Sequence, residues 1–324
     1  MVFCANLVGI YIASYINILS FILSGKTVDA KLYRLNILAW EGKRSQSDSK
    51  MNWSMQNFHV FPEASVVRKN VTEKGYYKMN IINIFSMLIL YGTLFLIHVA
   101  AYRNQILTEK AMGVRALIEG GLIFSVVVLI YFIVLHAKPA NSRVLIKNQI
   151  ALDKLCGGDS YSELDLDPSC IRDKNINKAI RATHSCLCSN KALETGNYDL
   201  LAAYMYDMDQ MLWTYNQYTK NIAYTGCYYH ILFFSTYINR NVQNAMKFYN
   251  IIRNELERDM DPNGRRVLAY YQYYIMKNPE LADKTIREAE AALTNEESLI
   301  FSKAELDLER KLIRQLRVNM AYGH

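Results

Sequence analysis

The chain has 324 residues, 37 basic and 30 acidic side chains and a net charge of +7. Its mean hydropathy is close to zero because an apolar N-terminal part and a polar C-terminal part cancel, so each must be read separately. That length holds a membrane unit and one water-facing domain of roughly 180 residues, and the placement of the cations argues against a nucleic-acid surface.

The first element is the apolar segment Val2–Leu23. No basic residue opens it and no small-x-small cleavage site closes it, so it reads as a retained span rather than a removed signal peptide. It carries Asn6, Ser14, Asn17, Ser20 and Ser24. Polar groups within a span face protein rather than lipid, which predicts an inward-packed helix. Residues 25–79 are expected to form a basic cytoplasmic loop, with ten cations (Lys26, Lys31, Arg34, Lys43, Arg44, Lys50, Arg68, Lys69, Lys74, Lys78) against five acids. Ile81–Ala101 and Ala116–Ala137 follow, without Lys, Arg or Asp. Runs of about 20 residues match the roughly 30 Å hydrocarbon core of a bilayer. Between them lie only Arg103, Lys110 and Arg115, and behind the third come Lys138, Arg143 and Lys147. By the excess of cations, the long loop and everything after the third span are cytoplasmic. The surplus charge also attracts anionic lipid.

The membrane domain is thus expected over 1–144, with spans at 2–23, 81–101 and 116–137, and a linker over 145–174. Within the linker, Cys156-Gly157-Gly158-Asp159 reads as a turn and Glu163-Leu-Asp-Leu-Asp167-Pro168 as a solvated acidic stretch. From 175 to 324, apolar and aromatic residues recur at helical spacing. The breaks are Glu194-Thr-Gly-Asn197, Thr225-Gly226, Asn239-Arg-Asn241, Asp261-Pro-Asn-Gly264, Lys277-Asn-Pro279 and Thr294-Asn-Glu296. Two helix pairs look alike, each with an aromatic first helix, a turn around Asn and a second helix bearing an early alanine. Ala245 and Ala282 stand 37 positions apart, near the period of tetratricopeptide repeats, and Gly196-Asn-Tyr198 with Ala202 suggests a third, looser copy. Stacked hairpins would leave a concave face for a protein or peptide. The expected fold class is all-α: three transmembrane helices followed by a cytoplasmic helical-hairpin, tetratricopeptide-like domain.

Few residues suggest chemistry. In His184-Ser-Cys186-Leu-Cys188, His184 and Cys188 share a helical face but Cys186 does not, and no second ligand pair follows at zinc spacing. The six cysteines (Cys4, Cys156, Cys170, Cys186, Cys188, Cys227) read as structural thiols, kept reduced where they are cytoplasmic. His98 and His136 fall near span ends, and Glu119, one turn inside the third span, suits an interfacial position. Asp259-Met-Asp261-Pro-Asn263-Gly264 has calcium-like carboxylates but reads as a helix-ending turn, since Pro262 interrupts it and the closing Glu is missing. There is no Gly-x-Ser-x-Gly, P-loop or dinucleotide fingerprint.

One segment carries a resemblance. Asn17-Ile-Leu-Ser20-Phe-Ile-Leu-Ser24-Gly25-Lys26 resembles the first core helix of bacterial site-2 proteases, intramembrane zinc metallopeptidases that read Asn-Ile-Leu-His-Glu-x-x-His-x-x-x-Gly-Lys there. Pro139-Ala-Asn141-Ser142, just past the third span, is similar to the Asn-Asp that supplies the family's third ligand. The resemblance covers roughly residues 10–150. It implies an intramembrane core whose zinc chemistry is gone: Ser20 and Ser24 stand in place of the histidines, Phe21 in place of the general base and Ser142 in place of the aspartate. A zincin helix needs two imidazoles four residues apart and a carboxylate to activate water, and these substitutions supply neither.

The expected function is therefore a non-catalytic integral membrane protein, in a bacterial plasma membrane, that contacts the lipid bilayer and binds a protein or peptide partner through its helical domain. No cofactor, metal site or nucleic-acid partner is expected. Two alternatives stand beside it: a metalloprotease with unorthodox ligands, and an unrelated membrane-anchored helical scaffold.

Overall fold

The computed structural model describes residues 2–26, 31–44, 51–55, 63–67, 72–103, 112–294 and 302–322. The chain divides into two compact units, Met1–Pro139 and Ala140–His324.

In the first unit, the long apolar runs become helices α1 (Val2–Lys26), α2 (Glu73–Arg103) and α3 (Met112–Ala137). All three are long and apolar enough to cross a membrane. Their outer faces are hydrophobic: Phe85, Ile89, Leu96, Ile123, Val127 and Val134 are each more than half exposed. Polar side chains lie inside instead, with Ser14, Ser20, Ser24, Asn83 and Ser125 buried. That arrangement inverts the one that water selects.

Helices α1 and α3 approach through small residues. A Cβ on Gly9 would overlap the Leu117 carbonyl, and one on Gly120 would lie 2.6 Å from the Asn6 carbonyl oxygen. Gly9 with Ala13, and Ala116 with Gly120, are spaced by four, the interval that brings two helix backbones together. At the adjoining ends of α2 and α3, Arg115 pairs with Glu119 at 2.7 Å and stacks over the Tyr102 ring at 5.6 Å, while His98 Nε2 lies 3.9 Å from Glu119. Glu119 thus belongs to a polar cluster at a helix end. The side chain of His136 lies outside the described residues.

The chain is mostly helical, as expected, but the segment expected to be a loop contains a four-stranded antiparallel sheet. Strands β1 (Lys31–Ile37), β2 (Trp40–Arg44), β3 (Met51–Met55) and β4 (Glu63–Val67) lie in the order β3-β2-β1-β4. Leu38-Ala39 forms a two-residue hairpin between paired Ile37 and Trp40, with Leu38 at φ 56°. Gly42 faces Trp53, whose ring would lie 3.1 Å from a Cβ there. Four of the ten basic residues counted as loop charge, Lys31, Arg34, Lys43 and Arg44, sit on strands β1 and β2, and Lys26, Lys74 and Lys78 belong to helices α1 and α2.

The second unit is helical throughout its core. Residues 145–174, expected to be a linker, are helix α4 (Pro139–Gly157) and two short 3-10 turns, Tyr161–Glu163 and Pro168–Ile171. Leu155, Tyr161, Leu164 and Ile171 are almost fully buried. The acids that suggested solvent alternate with leucines that fill the core.

Helices α5 (Lys178–Thr195) and α6 (Tyr198–Leu212) form a first hairpin. A two-stranded ribbon, β5 (Trp213–Thr214) and β6 (Gln217–Tyr218), precedes α7 (Thr225–Phe233), which runs on into a π-helical turn at Phe234–Ile238. Helix α8 (Val242–Arg258) completes the second hairpin, α9 (Pro262–Tyr274) and α10 (Pro279–Thr294) make the third, and α11 (Lys303–Tyr322) closes the unit. The first helices touch in succession, α5 to α7, α7 to α9 and α9 to α11, and each second helix also packs on the first helix that follows it. Buried Arg266 joins α9 to α11 through Glu309, while Arg265 takes the carbonyls of Leu256, Glu257 and Asp259 at the end of α8. The Asp259 carboxylate accepts from the Tyr229 hydroxyl and the Asp261 amide, so this acidic stretch is a helix-ending turn.

The 37-residue offset recurs in backbone detail. Arg240 and Lys277 have φ of 50° and 55°. Asn241 caps α8 by accepting from Asn244 N, and Asn278 caps α10 by accepting from Leu281 N. Asn241 N bonds Ser235 O, as Asn278 N bonds Gln272 O. Ala245 and Ala282 are both wholly buried. In the first hairpin Gly196 takes the left-handed position and Asn197 the cap. There the residue four past the asparagine is Leu201, which is buried, whereas Ala202 is exposed.

The glycine contact makes a direct prediction. Gly9→Ala should lower the stability of the detergent-solubilised protein by about 1–3 kcal/mol, since the new methyl meets backbone. Gly92→Ala is the control, because a Cβ there meets nothing within 4 Å. Equal melting temperatures for the two variants would refute the close α1–α3 approach.

Candidate functional site

The residues singled out by the metallopeptidase resemblance fall into different surroundings. Ser20 is buried in the first unit and its hydroxyl donates to Asn83 Oδ1 at 3.1 Å, tying α1 to α2. Ser24 is buried one turn on, its hydroxyl bonded to the Phe21 carbonyl at 2.8 Å. The Phe21 side chain is partly exposed. Ser142 is buried in the first turns of α4, in the second unit. Next to it, Asn141 Oδ1 accepts from the Asn177 amide at 2.6 Å, where α5 begins. Among the described residues no three His, Cys, Asp or Glu side chains are grouped so that they could hold a metal. His184 is enclosed, with Nδ1 2.7 Å from Asn148 Oδ1 and Nε2 2.8 Å from the Asp167 carbonyl. Burial pushes its pKa down, and Cys188 is buried with its thiol pushed up to about 12 by the same cause.

The geometry that can bind something lies elsewhere, at the turn ends of the second and third hairpins. Thr236, Arg240, Val242, Tyr273, Tyr274, Ile275, Lys277 and Pro279 enclose a half-open cavity of about 400 Å³. Its position follows from the repeat. The two left-handed turns place Arg240 and Lys277 at equivalent points of successive hairpins, and the first turns of α8 and α10 open beside them. Helix N-termini carry unsatisfied amides and a partial positive charge, so both add to the field of the two cations. Arg240 lies 5.9 Å over the Tyr274 ring. Among the described residues neither Arg240 nor Lys277 has a carboxylate within ion-pair distance.

Two further features mark this place. Thr236 is 1% exposed, and its Oγ1 has no hydrogen-bond partner among the described residues. It sits in the π-helical turn, a departure from α geometry that recurs at functional sites. Arg240 and Lys277 also hold a backbone conformation that costs a side-chain-bearing residue roughly 1–2 kcal/mol, where the first hairpin uses Gly196. Tyr274 takes a hydrogen bond from Asn319 Nδ2 at 2.7 Å, and burial pushes its hydroxyl pKa up, so the ring stays neutral. The cavity therefore presents two cations and neutral aromatic walls, which together suit a carboxylate or phosphate, while the Thr236 hydroxyl lies buried behind its lining.

Reading the sequence missed this site. Arg240 and Lys277 lie in segments that register as helix breaks, and only the 37-residue offset could have paired them. No protein family, curated protein or solved structure matches the chain.

Strain and binding can be separated by experiment. Arg240→Gly and Lys277→Gly should leave stability unchanged or raise it by up to about 1 kcal/mol, because glycine accepts positive φ. Sulfate or inorganic phosphate should raise the melting temperature of the wild-type protein, and each variant should lose most of that response. An equal anion response in all three proteins would remove the cavity as an anion site.

Proposed function

We propose that the chain is a membrane-anchored, non-catalytic binding protein whose hairpin unit, on the cytoplasmic side, takes an acidic segment of a protein partner. The observation that carries this reading is the pair of unneutralised cations, Arg240 and Lys277, held at strained positions around one cavity. Strain that persists at one place is best explained by what that place does. A carboxylate-bearing peptide matches the charge, and the half-open cavity admits a side chain or a chain end.

Membrane anchoring is supported by the outer faces of α1, α2 and α3. Exposed leucine, isoleucine, valine and phenylalanine on this scale would drive association in water but are the expected solvent contacts in lipid. The excess of cations between the first two spans over the turn between the last two favours a cytoplasmic second unit. The recurring turns and buried alanines support a tetratricopeptide-like arrangement, with hairpins repeated along one direction.

The same reading accounts for the degenerate protease positions. At Ser20 and Ser24 the side chains are neutral hydroxyls engaged with Asn83 and with the Phe21 carbonyl, and Phe21 has no group that could take a proton. A framework shared with site-2 proteases would then serve to hold helices together. Intramembrane cleavage with bound zinc is the competing outcome.

A photo-crosslinking residue at Val242 of the full chain, in native membranes, tests the proposal. We expect an adduct with a protein partner that is lost when Arg240→Glu and Lys277→Glu are combined. An adduct unchanged by the double substitution would overturn binding at this cavity. Stoichiometric zinc in the purified protein, together with cleavage of a membrane substrate, would overturn the non-catalytic assignment.

A further inference from the structure

A second cluster lies on the opposite end of α7. Cys186, on α5, points at Cys227, in the first turn of α7, with the two sulfurs 3.8 Å apart. Both are free thiols. Their sequence separation of 41 residues is bridged because α5 and α7 pack as consecutive first helices. The sulfur of Cys186 fits there because position 226 is glycine; a Cβ on Gly226 would lie 3.1 Å from it. It therefore rests against the N-terminal turn of α7, where amide groups favour a negative charge.

The surroundings divide the two thiols into unlike partners. The Cys186 and Cys227 sulfurs are within hydrogen-bonding distance of each other, and the Cys227 thiol also lies 3.7 Å from the Ala182 carbonyl. The contact with Cys227 and the nearness of His230, one turn along α7, hold the Cys186 pKa below that of an ordinary thiol against the opposing effect of burial. Cys227 is fully buried and its thiol is pushed up, first by its bond to Cys186 and then by burial. Cys186 is partly exposed as a residue, with its sulfur enclosed between α5 and α7, so a peroxide reaches it only as that contact opens. A partly accessible, thiolate-prone cysteine beside a buried partner is the pattern of an attacking and a resolving sulfur. His184 and Cys188, the neighbours that draw attention in the sequence, take no part, being bonded or buried elsewhere.

We propose that Cys186 and Cys227 are a peroxide-oxidised dithiol, with Cys186 as the attacking sulfur and Cys227 as the resolving one. The Cys186 thiolate attacks one peroxide oxygen; the O–O bond breaks, and the other oxygen leaves as hydroxide or alkoxide and takes up a proton. The sulfenic acid so formed on Cys186 is displaced by the sulfur of Cys227. An S–S bond forms, and the sulfenic oxygen departs as water with the proton that Cys227 gives up. Two thiols and one peroxide yield a disulfide, an alcohol or water, and one water, with two electrons passing from sulfur to oxygen. Bond formation requires the sulfurs to close from 3.8 Å to about 2.05 Å, a movement of side-chain rotation and slight helix approach.

The test uses the full chain in detergent, titrated with hydrogen peroxide, alkylated, digested and read by mass spectrometry. The expected product is a peptide pair joined through Cys186 and Cys227, formed before Cys170 is modified and reversed by dithiothreitol. Cys170 is a fair comparator, since it is also partly exposed but burial pushes its thiol up. In Cys227→Ser, dimedone should trap a sulfenic acid at Cys186. In His230→Gln, iodoacetamide labelling of Cys186 at pH 6 should slow by about tenfold, as loss of the neighbouring imidazole raises the thiol pKa. Wild-type protein in which Cys170 oxidises first, or in which Cys186 is modified without linking to Cys227, would overturn the proposal without reference to any variant.

Discussion

The second unit depends on one local constraint, a left-handed residue followed by an asparagine that caps the next helix. Each first helix must end, reverse and start again within about three residues, and a single positive φ does this with the fewest unsatisfied groups. The asparagine side chain then accepts from the free amide three residues on, in the first turn of the following helix. Fixing the turn fixes where the second helix begins, and hence which of its residues meets the neighbour. Four positions later the chain needs a residue that fits the helix contact, met by Ala245, Ala282 and, in the wider first hairpin, Leu201. The cavity is a by-product of stacking two such turns. Its charge is not, because glycine would serve the backbone better at both Arg240 and Lys277.

The apolar outer faces of the first unit suit a different solvent. In lipid, as apolar as their own side chains, such helices would need no hydrophobic interior, and association would come from close backbone approach and from polar groups turned inward. Gly9 and Gly120 supply the first, and Ser20 with Asn83 supplies the second. This accounts for Ser20 and Ser24, polar residues in an apolar helix, as groups bonded within the helix packing. Small hydroxyls satisfy helix packing, whereas histidine and glutamate would bring charge that only a metal or a counterion could compensate.

How much of this was legible in the sequence follows from what each feature rests on. The apolar runs were readable because composition alone decides them. The helix breaks were readable at Gly196, Asn239–Asn241, Pro262 and Lys277–Pro279, because glycine, asparagine and proline act locally. The sheet was not, since Lys31-Leu-Tyr-Arg-Leu-Asn-Ile37 and Trp40-Glu-Gly-Lys-Arg44 lack a clean two-residue alternation and their cations were counted only as charge. Residues 145–174 misled in the same way: Glu163, Asp165 and Asp167 advertise solvent while Leu164 between them is buried. Ala202 looked like a third repeat marker because it lies one place from the position that the cap actually sets. The two sites were hidden for a common reason, that Thr236, Arg240 and Lys277, like Cys186 and Cys227, are brought together only by the stacking of hairpins.

Both sites lie on one continuous element, the helix from Thr225 to Ile238. Cys227 is in its first turn and Thr236 in its last, separated by less than three turns, about 14 Å at helical rise. Between helix α7 and the cavity wall runs a column of rings: Phe233 meets Tyr270 at 4.9 Å, Tyr270 meets Tyr237 at 4.9 Å, and Tyr237 meets Tyr274 at 5.5 Å. Close-packed aromatic contacts transmit displacement because they compress little. A bond that drew the start of α7 toward α5 would bear on this column, whose last members, Tyr237 and Tyr274, lie next to Thr236 and under Arg240, so the proposed dithiol and the proposed anion cavity share one set of packed rings.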